Sequence, residues 1–141
     1  EYYLANISAC PDLLFADCKV SNNFARGVLI KTKRAEVCGC TFENTHSAAV
    51  RVSAEESWGE GISAEDVRIH DNVFINCARQ VGPASAVAAF TDSKTGEGEQ
   101  IGSVRVYNNT VIGSGDVPDF YLKNVREPRI DDNVSAYAAK K

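Results

Sequence analysis

The sequence predicts an all-β fold, a right-handed parallel β-helix of about five coils. Three observations predict it. A phrase recurs along the chain, first as Val67-Arg68-Ile69-His70-Asp71-Asn72-Val73-Phe74 and again as Val104-Arg105-Val106-Tyr107-Asn108-Asn109-Thr110-Val111. Inside each phrase the apolar residues fall two apart, the period of a strand with one face buried. An asparagine or cysteine then stands at one fixed offset, three positions after the second apolar residue, at Cys18, Cys40, Asn72, Asn109 and Asn133. Self-similarity of this kind marks a solenoid, whose surface chemistry is set by stacked positions in successive coils.

Each element follows in order. Leu13 to Val20 and Ala35 to Phe42 fit the frame with cysteine in the asparagine slot, and Pro128-Arg129-Ile130-Asp131-Asp132-Asn133 is a degraded last copy. An inward asparagine at a bend can hydrogen-bond the backbone of neighbouring coils and build an amide ladder. The next inward position holds Val20, Phe42, Phe74 and Val111, an apolar file. A second strand follows each phrase, at Gly27–Ile30, Ala49–Val52, Ala86–Ala89 and Asp119–Leu122, so the reading has two strands per coil. No stretch carries a helical period, and right-handed winding is the rule for parallel crossovers.

Ladder positions are 22, 32, 37 and 24 residues apart. The excess length sits in two inserts, at 54–64 and 91–102, which leave the second strand at the same offset. They are expected side by side on one face, a common way for solenoids to build a binding surface.

One domain suits 141 residues. A net charge of −4 with no basic patch argues against nucleic-acid and anionic-membrane partners, and no apolar run is long enough to span a bilayer. The chain lacks methionine and opens on Glu1-Tyr2-Tyr3, with no obvious cap for either end of the solenoid. It therefore reads as a piece of a longer protein, with further β-helix coils of a parent chain as expected partners. The five cysteines match no zinc signature, since Cys38-Gly39-Cys40 has no second half. Cys18 and Cys40 read as small buried fillers; stacked about 4.8 Å apart they would also lie within disulfide reach.

Acidic residues gather at the inserts: Glu55, Glu56, Glu60, Asp92, Glu97 and Glu99. Three residues past the last inward residue of each second strand stand Lys33, Glu55 and Asp92, which would stack on consecutive coils about 4.8 Å apart. Carboxylates that close repel, so one is expected to have a raised pKa and serve as general acid. Glycoside hydrolysis needs such a pair, one carboxyl protonated and one ionised. Trp58 offers a flat apolar face for a sugar ring, or an anchor pinning its insert to the wall. The competing reading makes the acidic, Gly-rich inserts solvated turns and gives Lys33 the task of neutralising Glu55. His46 and His70 sit at turn or outward strand positions, where a structural role is more natural than a ligand or base. Arg51 and Arg68 face outward, placed for ion pairs along the sheet. Neither a phosphate loop, a G-x-S-x-G elbow, H-E-x-x-H nor a calcium repeat is present.

Four runs in order carry a resemblance: Cys18-Lys19-Val20-Ser21-Asn22-Asn23-Phe24-Ala25-Arg26-Gly27-Val28-Leu29-Ile30, Ser47-Ala48-Ala49-Val50-Arg51-Val52, Trp58-Gly59-Glu60-Gly61 and Asp66-Val67-Arg68-Ile69-His70-Asp71-Asn72-Val73-Phe74. The chain resembles glycoside hydrolase family 110, α-1,3-galactosidases built on right-handed parallel β-helices, with the Ala-Arg-Gly and Trp-x-Glu-x-Gly runs the most specific. The match is good over about residues 15 to 80 and generic beyond. It departs at Phe24, where the family has arginine, at Ala54-Glu55 before the tryptophan, and near Asp92. Known members are much longer.

The resemblance implies exo-acting, inverting hydrolysis of terminal α-linked galactose, an oligosaccharide or polysaccharide partner, no cofactor, and a secreted or periplasmic location. The base would come from Glu55, Glu56 or Asp92 and the acid from Glu60, with Trp58 and Lys33 as substrate contacts. Inversion wants the two carboxyls roughly 6.5–9.5 Å apart. The alternatives are a non-catalytic glycan-binding module, a structural spacer, or a polysaccharide lyase, for which the basic cluster Lys31, Lys33, Arg34 is thin support.

Overall fold

A computed structural model describes residues 6–55, 62–79, 85–91, 100–113 and 116–137. After a 3-10 turn at Ile7–Ala9 the described chain is entirely strands and corners. The first coil holds β1 (Leu13–Ala16), β2 (Lys19–Ser21) and β3 (Val28–Ile30). The second holds β4 (Arg34–Cys38), β5 (Thr41–Glu43) and β6 (Val50–Val52), and the third β7 (Asp66–His70), β8 (Val73–Ile75) and β9 (Val87–Ala89). β10 (Ile101–Tyr107), β11 (Thr110–Gly113) and β12 (Phe120–Leu122) form the fourth; β13 (Val125–Asp131) and β14 (Val134–Tyr137) begin a fifth.

Every pairing among the described strands is parallel and joins one coil to the next. The sheets run β1-β4-β7-β10-β13, β2-β5-β8-β11-β14 and β3-β6-β9-β12. This is a parallel β-helix with three sheets, and the expectation of two strands per coil is corrected. The cause is one corner residue inside the phrase. Asp17, Gly39, Asp71, Asn108 and Asp132, each just before the ladder position, have φ between 52° and 62°. Aspartate, asparagine and glycine enter this left-handed region most readily, so the phrase breaks there into two strands on different sheets.

The ladder forms as read. Asn72 Oδ1 accepts from the Cys40 amide at 2.9 Å, and Asn109 Oδ1 accepts from the Asn72 amide at 3.0 Å. Asn133 Oδ1 accepts from the Asn109 amide at 2.9 Å. Cys40 extends the series in sulfur, its Sγ accepting from the Cys18 amide at 3.5 Å. All five cysteines are free thiols. At the next corner a second, outer ladder joins Asn76 Nδ2 to Asn44 Oδ1 at 2.7 Å and Asn44 Nδ2 to Asn22 Oδ1 at 3.1 Å.

The inward files are the core. Val37, Ile69 and Val106 stack in the first sheet and Val50 with Val87 in the third, all fully buried. Phe42 lies on Phe74 at 5.4 Å between ring centroids and on Phe15 at 6.3 Å. Each such side chain contributes roughly 1.5–3 kcal/mol on burial. Gly27 is required by close approach, since a Cβ there would lie 2.5 Å from the Ala49 carbonyl oxygen of the next coil. Among the described residues no helix is long and apolar enough to cross a membrane.

Candidate functional site

β3, β6 and β9 keep the predicted register, with Ile30 beside Val52 and Val52 beside Ala89. Beyond them the expected stack of Lys33 and Glu55 does not form. The first coil has no insert, so Lys33 runs directly into β4 and meets the residue that follows the second coil's insert. The Glu65 amide donates to the Lys33 carbonyl at 2.7 Å, and Lys33 Nζ lies 2.6 Å from Glu65 Oε1. Glu55 stands on the near side of the insert and has other partners. Lys33 therefore neutralises Glu65 rather than Glu55.

Among the described residues those partners are three cations. Arg26, in the corner before β3, places Nη2 3.1 Å from Glu55 Oε1, and Lys31, just after β3, places Nζ 2.9 Å from Oε2. Arg51, outward on β6, places Nη2 3.3 Å from Oε1. The Arg51 guanidinium also lies 4.3 Å over the Phe90 ring, which meets Tyr121 edge-on at 6.0 Å. Ala88, outward between Arg51 and Tyr121, has no bulk to block these side chains and is fully buried.

Glu55 is only 6% exposed. Burial pushes its carboxyl up, but the Lys31 hydrogen bond and the charges of Arg51, Lys31 and Arg26 outweigh it, and the net shift is downward. Glu55 is thus an ionised carboxylate, the opposite of a general acid, and its cations tie the stem of the 54–64 insert to the first two coils. Glu56, Trp58, Glu60 and Asp92 lie outside the described residues, as do most of the two inserts.

The outward face of the first sheet carries a file of ion pairs between coils. Arg34 pairs with Asp12 at 2.7 Å, Arg68 with Glu36 at 3.1 Å and Arg105 with Asp66 at 3.0 Å, around a cleft of about 260 Å³. Arg51 and Arg68 form the ion pairs expected of them. His46 stacks on the exposed ring of Phe24 at 4.5 Å. His70 Nε2 lies 2.9 Å from Glu36 Oε1, and Nδ1 2.6 Å from Asp71 Oδ2. Burial lowers the affinity of this imidazole for a proton, but the bonds to Asp71 and Glu36 reverse that and raise its pKa. Cys38 lies beside them, and the only sequence signal for this grouping was the shared outward parity of Glu36, Cys38, Arg68 and His70.

Fold and site together define a parallel β-helix with a buried, cation-bound carboxylate at the root of an acidic insert. Alpha-1,3-galactosidase A proteins from two strains of Bacteroides fragilis are 31% and 30% identical to this chain over 124 residues. The match covers 84% of this chain and 20% of theirs. Alpha-1,3-galactosidase B from Phocaeicola vulgatus is 35% identical over 75 residues, 52% of this chain and 12% of its own. The chain spans about a fifth of the length of the first two relatives. It shares ancestry in part with proteins named as galactosidases. No protein-family model matches it, and no solved structure does.

Proposed function

We propose that this chain is the β-helical part of a glycoside hydrolase of the family 110 type, acting on terminal α-linked galactose by inversion with two carboxylates and no cofactor. The observation that carries the reading is the 31% identity to an alpha-1,3-galactosidase A across 84% of the chain, on a parallel β-helix. A secreted or periplasmic location and an oligosaccharide or polysaccharide substrate go with it.

The family resemblance suggests a division of labour. Glu60 is the acid, and Glu56 or Asp92 the base that activates water on the far side of the sugar. Trp58 provides the stacking face. Glu55 stays ionised among Arg26, Lys31 and Arg51, and its part is to hold the stem of the insert rather than to take a proton. A carboxylate so strongly stabilised by cations is a poor proton acceptor. Lys33, engaged by Glu65, is assigned no substrate contact.

The test is galactose release from a Gal-α-1,3-Gal disaccharide and aryl α-galactosides by the chain and its Glu60→Gln and Asp92→Asn variants. Release lost in both variants, with unchanged circular dichroism, supports the reading. A folded wild type that binds the disaccharide without cleaving it turns the reading to a glycan-binding module.

A further inference from the structure

The outward face of the first sheet holds three different ligand chemistries at one point. Glu36 and Cys38 are two apart on β4, so their side chains share a face, and the register sets Cys38 beside His70 of β7. A carboxylate oxygen of Glu36, Cys38 Sγ and a ring nitrogen of His70 all lie within 4.8 Å of one another. We infer that Glu36, Cys38 and His70 form a site for a divalent transition ion of the zinc type, stapling the second coil to the third. It stands apart from the galactosidase reading and does not depend on it.

The surroundings fit a metal better than they fit a plain ion pair. Asp71 Oδ2, 2.6 Å from His70 Nδ1, accepts from that nitrogen, while Nε2 lies 2.9 Å from Glu36 Oε1. A carboxylate behind a histidine is the common way to orient an imidazole toward a metal. Tyr107, the next residue in the file, stacks on the ring at 4.7 Å and 9° and fixes its plane. Arg68 binds Glu36 through Oε2, leaving Oε1 on the histidine side. Glu36, Asp17 and Asp71 set negative charge around the thiol, a field that favours a cation. An imidazolium between two carboxylates would explain His70, Glu36 and Asp71 but has no use for the sulfur.

Mixed nitrogen, sulfur and oxygen donors select zinc or cobalt over calcium and magnesium, which take oxygen alone. Bonds of roughly 2.0–2.3 Å in a tetrahedron put ligand atoms about 3.5 Å apart, so side-chain rotations of about 1 Å complete the site. Glu36 is 29% and His70 15% exposed, so solvent can supply a fourth ligand. On binding, the Cys38 thiol and the His70 Nε2–H each release a proton to water, and the ion replaces the contact between His70 and Glu36.

The chain, reduced with a phosphine and free of chelator, is titrated with cobalt(II), followed by zinc(II). One equivalent of cobalt is expected to produce a thiolate-to-metal absorption band that zinc abolishes. Cys38→Ser should remove the band, His70→Ala should remove it or weaken binding more than tenfold, and Cys10→Ser and Cys77→Ser should leave it intact. Asp71→Asn should weaken binding about 10–100-fold. Cys38 faces outward, so its serine variant is expected to fold, checked by circular dichroism. Absence of a band in the wild type, or a band that survives Cys38→Ser, overturns the proposal.

Discussion

Replacing Asn72 with alanine removes a ladder rung from the middle of the core. The Asn72 side chain is 1% exposed and makes three hydrogen bonds. It accepts from the Cys40 amide at 2.9 Å and donates to the Val37 carbonyl at 2.9 Å and to Asn109 Oδ1 at 3.0 Å. Alanine leaves the Cys40 amide and the Val37 carbonyl without these partners, where water does not reach. Each buried orphan costs about 1–3 kcal/mol, so a loss of about 3 kcal/mol is expected. Asn133 supplies an equivalent rung, accepting from Asn109 and donating to the Val106 and Asp131 carbonyls at 2.9 Å. It sits on the exposed last coil, where water can replace it, and Asn133→Ala should cost only about 1 kcal/mol. Asn72→Cys should fall between, because Cys40 already fills a rung with a weaker sulfur acceptor. Urea unfolding followed by circular dichroism reads the difference. With a slope of about 2 kcal/mol per M, Asn72→Ala moves the midpoint by about 1.5 M. A midpoint for Asn133→Ala as low as that for Asn72→Ala would refute the ladder as a buried hydrogen-bond device.

Two further perturbations test the insert anchor and the coil spacing. Glu55→Gln leaves Arg26, Lys31 and Arg51 without their shared counter-charge and should cost about 2–4 kcal/mol at neutral pH. Because the folded carboxyl titrates below its ordinary 4.5, its contribution is present above that value and is lost as pH falls through the lower folded one. Wild type and variant should therefore converge in denaturant midpoint on acidification; a gap independent of pH would contradict the charge argument. Gly27→Ala drives a Cβ to within 2.5 Å of the Ala49 carbonyl oxygen and 2.9 Å of the Phe42 ring, costing about 1–3 kcal/mol in thermal melts. Gly113→Ala enters open space and should stay within about 0.5 kcal/mol; equal losses would remove close coil packing as the reason for Gly27.

The coil repeat was legible because it rests on near-neighbour chemistry. Alternation at Val67 and Ile69, the asparagine at Asn72 and the aromatic at Phe74 each act within a few residues, and their recurrence reports that coils stack. The cysteines at Cys18 and Cys40 were readable as ladder members for the same reason. The corner inside the phrase was harder. Its signal is one aspartate, glycine or asparagine whose effect is a φ angle rather than a side-chain contact, so three sheets read as two.

What stands beside what across coils is another matter, decided by register and by insert length. Counting along the chain put Lys33 over Glu55, yet strand pairing carries Lys33 past the insert to Glu65 and leaves Glu55 to Arg26, Lys31 and Arg51. His70, read as an outward structural histidine, meets Glu36 and Cys38 only because β4 and β7 pair with Cys38 opposite it, 32 residues away. A strand's own residues dictate which face each side chain takes, since that follows from the two-residue pleat. The neighbour across the sheet depends on how much chain each coil loops out before the next strand begins, and no local pattern encodes that length's consequence. Fold and ladder were therefore written in the sequence, while the cation cage around Glu55 and the Glu36–Cys38–His70 cluster came into being only when the coils stacked.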